Sequence, residues 1–136
     1  MSKAALENYE EAIADYTKAI EIDPKYDSAY YNRGLSKAAL EDYEGAIADY
    51  TKAIEINPND SSAYISRGNA KENIQKRIRF IFRRNLEGAC KDWEKASSLG
   101  KDEASSLVKD KCLNYKWNKS TPVSYTHLRA HETKRN

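Results

Sequence analysis

Residues 1–24 and 35–58 are nearly one passage written twice, S-K-A-A-L-E-x-Y-E-x-A-I-A-D-Y-T-K-A-I-E-I-x-P. The offset is 34 residues, and the copies differ only at Met1/Leu35, Asn8/Asp42, Glu11/Gly45 and Asp23/Asn57. A fixed period of this length denotes a stack of small units, each too thin to bury its own apolar face and stabilised by its neighbours. Arrays of that kind offer surface for binding rather than a pocket for chemistry.

The second unit can be read directly. Asp27 and Ser28 offer an N-cap, and Tyr30, Gly34, Lys37, Ala38 and Leu40 follow at the spacing of one helical face. Asp42 begins a second segment in which Tyr43, Ala46, Ile47, Tyr50, Ala53 and Ile54 recur at the same spacing. Asn57-Pro58-Asn59-Asp60 ends it, because proline cannot continue the hydrogen-bond ladder. One unit is therefore helix, tight turn, helix. Gly34 and Ala46 lack bulk where the paired helices approach, while Tyr30 and Tyr50 supply large apolar bodies with polar tips.

These residues resemble the tetratricopeptide repeat family. Its pattern is similar to Tyr30, Arg33-Gly34, Lys37, Ala46, Tyr50, Ala53 and Pro58, and again to Tyr64, Arg67-Gly68, Lys71, Ala89, Trp93 and Ala96. Arginine replaces the usual leucine and lysine a usual aromatic, as in the A-Y-x-N-R-G subfamily that residues 29–34 resemble. The resemblance covers about residues 1–112. It implies an all-α fold, an α-solenoid of antiparallel helix pairs with about two and a half repeat units and a C-terminal capping helix. The expected divisions are a truncated first unit at 1–26, a second at 27–60, a third at 61–100 with a basic insertion near 75–84, a capping helix at 101–113 and a disordered tail at 114–136. Met1 aligns opposite Leu35, partway through a first helix, so truncation is the expectation. In the capping helix Ala104, Leu107, Val108 and Cys112 would face inward.

Residues 123–133 read V-S-Y-T-H-L-R-A-H-E-T, the translation of a transposase-type sequencing adapter, so 123–136 are expected to be an artefact and carry no weight for fold or function. Both histidines, His127 and His131, lie there, and their metal-like spacing implies no zinc site. The same segment carries Arg129, Lys134 and Arg135 against Glu132, a net charge equal to the +2 of the whole chain. The sequence pI of 8.4 is thus no argument for a nucleic-acid partner.

Charge is concentrated in the insertion, where Q-K-R-I-R-F-I-F-R-R-N lengthens the third unit by nine residues, since Ala46 and Ala89 stand 43 apart where the period gives 34. Lys76, Arg77, Arg79, Arg83 and Arg84 surround Ile78, Phe80, Ile81 and Phe82. The first expectation is a lengthened helix or a loop whose apolar stripe packs on the solenoid edge with the cations solvated. The alternative is an anion-seeking knob for an acidic or phosphorylated partner or a membrane surface.

Nothing in the sequence supports catalysis. Outside the adapter-like tail there is no histidine, glycine-rich phosphate loop or metal-ligand cluster, so no enzyme, cofactor or metal is expected. Glu7, Glu10, Glu11, Glu41, Asp42 and Glu44 lie at helix starts and complement the dipole, while Asp15 and Asp49 read as solvated helix charges. Cys90 and Cys112 read as buried free thiols, with a disulfide open if their Cα atoms meet. No membrane-spanning stretch is present. The compartment is not legible and is cytoplasmic only by default; the oligomeric state is equally open.

Binding of a protein or peptide is the function the resemblance implies, along a concave groove lined by the first helices of successive units. The candidate groove residues are Ser28, Tyr31, Asn32, Leu35 and Ala39, and Ser62, Ile65, Ser66, Asn69 and Asn73. Asn32 matches an asparagine that holds the peptide backbone in chaperone-binding members. The lysine and arginine that clamp a terminal carboxylate in those members would fall at Ser62 and Ser66, which disfavours a chaperone-tail receptor. A regulatory appendage of an absent enzyme domain is a further alternative.

Overall fold

The computed structural model describes residues 1–77 and 86–115. Among the described residues six α-helices follow one another: α1 (Lys3–Ile22), α2 (Asp27–Ala39), α3 (Tyr43–Ile56), α4 (Ser61–Arg77), α5 (Glu87–Ser98) and α6 (Asp102–Leu107). The last continues through a π-helical turn, Val108–Cys112. Among the described residues there is no strand. Each helix packs mainly on its neighbours in the chain, and α2 also reaches α4. The short connections at 23–26, 40–42, 57–60 and 99–101 force the helices they join antiparallel, and the serial packing is that of an α-solenoid.

Local chemistry sets the boundaries. The Asp42 carboxylate accepts from Gly45 N–H at 3.0 Å and starts α3. The Asp60 carboxylate accepts from Ser62 and Ala63 N–H at 3.0 and 3.3 Å and starts α4. At α2 the sequence-based cap is displaced: the helix begins at Asp27 and no side chain caps it. Asp27 instead accepts from Ser28 N–H and, across the turns, from the Asn57 amide at 3.2 Å. The turn between α2 and α3 places Glu41 at φ 61, with Asp42 N–H donating to Lys37 O at 2.9 Å. A left-handed residue other than glycine costs about 1–2 kcal/mol, which the packing of α2 on α3 offsets.

The duplicated passage takes two conformations. Residues 35–58 form the end of α2, the turn and α3, whereas the aligned Leu6–Asn8 region lies inside the unbroken α1. In the second copy a full helix packs back on α3 and stabilises the turn. In the first, Asn8 and Glu11 replace Asp42 and Gly45, so the Asp42 cap on the Gly45 N–H has no counterpart, and the helix propensity of K-A-A-L-E prevails.

The core is a column of three adjoining clusters. Ala46, Tyr50 and Ala70 form one end; Ala53, Ile54, Ala63, Tyr64, Ile65, Ala96 and Ala104 the middle; Leu86, Ala89, Cys90, Trp93 and Cys112 the other end. Tyr50 and Trp93 occupy corresponding places on α3 and α5, each over a glycine of the preceding helix, Gly34 and Gly68. Cys90 and Cys112 are disulfide-bonded, with Cα atoms 5.6 Å apart, which corrects the expectation of free thiols. The chain reverses at Gly100, φ 89, and lays the π-helical turn back on α5 so that the two cysteines face one another.

Candidate functional site

The residues that depart from the family pattern form an internal device. Arg33 donates to both oxygens of Asp49 at 2.9 and 2.7 Å, and Lys37 pairs with the same carboxylate at 2.9 Å. Arg67 repeats the fork on Asp92 at 2.9 and 2.7 Å, with Lys71 at 2.8 Å. Each guanidinium also donates to a threonine of the helix before its own, Arg33 to Thr17 and Arg67 to Thr51, both at 3.1 Å. One arginine thus pins three helices, a use for which its planar fork is suited. Asp49 and Asp92 are both buried. The expectation that Asp49 is a solvated helix charge is therefore wrong. Arginine and lysine four apart, followed by aspartate on the next helix in both units, is a signal the sequence contained.

Tyr31 and Ser66 set α2 beside α4, with their hydroxyl oxygens 3.4 Å apart. On the same two helices Asn32, Ala39, Ser62 and Asn73 are half-buried, while Ser28 and Leu35 are exposed. The Asn32 amide donates to Ser28 O at 2.9 Å, leaving its oxygen to accept. Tyr31 also packs on Tyr50, ring centroids 5.8 Å apart. Two of the groove candidates are structural in location: Ile65 is buried among Ala53, Ile54 and Ala63, and the Asn69 oxygen accepts from the Trp93 indole N–H at 3.1 Å. The remaining candidates fall at helical spacing on α2 and α4 and make a face of hydroxyls and amides with Leu35 exposed. Burial pushes the Tyr50 phenol well above its ordinary pKa, so it stays neutral behind this face.

Of the candidate anion-binding residues, Arg79, Arg83 and Arg84 lie outside the described residues, as does the apolar stripe 78–82. Lys76 pairs with Glu72 at 3.4 Å. Arg77 donates to Glu41 O at 3.2 Å and lies over the Tyr43 ring. Both cations are engaged at the end of α4, which has 17 residues against 13 in α2. Glu72 is buried and also receives Lys111 at 2.7 Å, joining α4 to the closing turn. Burial alone would raise its pKa, but the hydrogen bonds and charges of Lys111 and Lys76 outweigh it and hold the carboxyl below its ordinary range.

Among the described residues, no helix is long and apolar enough to cross a membrane, and no group of three or more His, Cys, Asp or Glu is placed to hold a metal ion. Helix pairs in series, tied together by buried arginine–aspartate forks, define an α-solenoid of the protein-interaction class. The chain belongs to the tetratricopeptide repeat family. Family models described as TPR repeat and Tetratricopeptide repeat match residues 3–40 and 28–60. The first TPR domain of human RPAP3 is similar at 31% identity and TM-score 0.66, over 81% of this chain and 83% of that one. The first TPR of Spaghetti (RPAP3), bound to the HSP90 peptide SRMEEVD, has 28% identity and TM-score 0.68, over 81% and 82%. The TPR2B domain of yeast Sti1, in an Hsp70 complex, has 26% identity and TM-score 0.60, over 85% and 86%. No curated protein matches the chain.

Proposed function

We propose that this chain is a non-catalytic interaction module that takes an extended peptide or a partner helix along the face between α2 and α4. The observation that supports the reading is the Tyr31–Ser66 contact, which sets α2 beside α4; on this reading Asn32, Leu35 and Ala39 line one side of a groove and Ser62, Ser66 and Asn73 the other. Such a surface hydrogen-bonds a peptide backbone through amides and hydroxyls and buries little apolar area, so it supports modest affinity. The similar domains of Spaghetti and yeast Sti1 are seen with HSP90 and Hsp70 ligands, which supports a peptide as the ligand class. Ser62 and Ser66 supply no cation for a terminal carboxylate, so the peptide is held by its backbone rather than its end.

The test is a titration of the isotopically labelled chain with SRMEEVD in free-acid and amidated forms and with internal peptide libraries. Amide shifts should cluster at Asn32, Leu35, Ser66 and Asn73, and amidation should leave the affinity of SRMEEVD unchanged. Asn32→Ala should weaken binding about tenfold, the scale of one or two lost hydrogen bonds. Shifts confined to the opposite faces of α3 and α5, or an unaffected Asn32→Ala, would refute the assignment.

A further inference from the structure

The helix that packs back on α5 changes pitch where it carries the second cysteine. Asp102–Leu107 is α-helical and Val108–Cys112 is π-helical, with Leu113 N–H donating to Val108 O, five residues back rather than four. The change of pitch decides which side chains face inward. Ala104 is fully buried and marks the inner direction. At about 100° per residue, a continuous α-helix would set Lys111 within about 20° of Ala104 and Cys112 about 80° away. The extra residue of the π turn holds the rotation back by roughly 100°, so Cys112 comes inward and Lys111 moves to the flank. There Cys112 is bonded to Cys90, while Lys111 reaches Glu72 at 2.7 Å and lies over the Trp93 ring.

Residues 108–115 thus have two registers open to them, and each is disfavoured in its own way. π-Helical bonding is rare and occurs mostly as single turns inside α-helices. The α register instead drives the Lys111 ammonium toward Leu86, Ala89 and Trp93, an apolar cluster in which an unpaired charge is costly. The bridge selects the π register. Lys111 assists it, but that side chain is 33% exposed, and a part-exposed ion pair holds a turn far less firmly than a covalent bond. Ahead of the π turn α6 has ties of its own, with Ala104 in the middle cluster and Ser97 Oγ 2.7 Å from Ser105 Oγ. We infer that Cys90–Cys112 is a redox latch: two-electron reduction frees residues 108–115 from α5 and uncovers its Trp93 face, while α6 and the helices before it stay in place. A thiolate of a dithiol reductant attacks one sulfur, the S–S bond breaks and a mixed disulfide forms. The reductant's second thiol then closes its own disulfide, and its two protons end on Cys90 and Cys112. Both cysteines are buried, so attack follows a local opening of the turn, whose outer residues Lys109, Asp110 and Leu113 are exposed.

The test is amide hydrogen exchange of the full chain, read by mass spectrometry before and after treatment with dithiothreitol in the absence of denaturant. In the reduced chain residues 108–115 should lose their protection and exchange as an unfolded peptide does, whereas α2, α3 and α4 should stay protected. Reoxidation should restore the original pattern. Cys90→Ala with Cys112→Ala should be open with or without dithiothreitol. Lys111→Leu makes the α register acceptable, so its reduced form should keep residues 108–115 protected; a bridge that merely adds stability predicts no such rescue. The inference is overturned by a bridge that dithiothreitol leaves intact, by residues 108–115 that stay protected once both thiols are free, or by protection lost throughout the chain. A reduced Lys111→Leu chain as open as the reduced parent overturns it as well.

Discussion

Replacing Gly68 by alanine probes the closest approach in the core. A Cβ there would stand 2.5 Å from Trp93 Nε1 and 2.8 Å from Cδ1. Unstrained carbon contacts begin at about 3.5 Å, so the indole or the helix must move by roughly 1 Å. The indole has nowhere to go: Trp93 is fully buried, donates to Asn69, and lies in one cluster with Cys90 and Cys112 beneath Lys111. Overpacking costs about 1–3 kcal/mol and a broken hydrogen bond about 1 kcal/mol, against a gain of up to about 1 kcal/mol from replacing glycine in a helix. The net expectation is a loss of about 2 kcal/mol. Gly88→Ala is the control, because its Cβ meets only the flexible Lys71 side chain at 3.4 Å, so the helix gain survives and the variant should be stabilised by up to about 1 kcal/mol. Urea unfolding followed by helical circular dichroism reads both. In a Trp93→Phe background, which removes the clashing edge of the indole, Gly68→Ala should cost about 1 kcal/mol less. A Gly68→Ala chain as stable as the parent would refute the packing of α4 on α5 described here.

Other variants test the polar and covalent ties. Asp92→Asn leaves Arg67 and Lys71 against a neutral amide and should cost about 3–5 kcal/mol in denaturant unfolding, whereas exposed Asp15→Asn should stay within about 0.5 kcal/mol; equal effects would contradict the buried fork. Glu72 has a depressed folded pKa, so its stabilisation is complete above the unfolded value of about 4.3 and is lost as pH falls through the lower folded value. Glu72→Gln should therefore be less stable than the parent at neutral pH, with the difference shrinking below about pH 4; a difference that stays constant with pH would argue against the tie to Lys111 and Lys76. Reducing Cys90–Cys112 reopens a loop of sequence separation 22 and should lower stability by roughly 3 kcal/mol, and an unchanged urea midpoint after reduction would count against the bridge.

Much of the architecture is written in short-range pattern. The 34-residue period, the start of α3 at Asp42, its end at Asn57-Pro58 and the small residue Gly34 at a close helix approach all depend on residues close in sequence or on helical periodicity, and all are seen; that Tyr50 is the ring set on Gly34 comes from the structure. The candidate site was less legible. Ile65 and Asn69 share α4 with the other candidates, but helix rotation gives one to the core and the other to the Trp93 indole. Arg33 and Lys37 looked like departures from a family pattern until Asp49 was found between them.

Composition and periodicity alone determined that the chain stacks helix pairs, since caps, proline stops and apolar spacing act within a few residues. Three matters were decided only by the folded arrangement: whether Asp49 and Asp92 are solvated or forked, whether Cys90 meets Cys112, and whether S-K-A-A-L-E-x-Y turns or runs straight. The last is the clearest, because nearly the same residues do both. A turn that holds Glu41 in a left-handed conformation is stable only when a neighbouring helix is there to be buried by it, and that information lies in the packing rather than in the string.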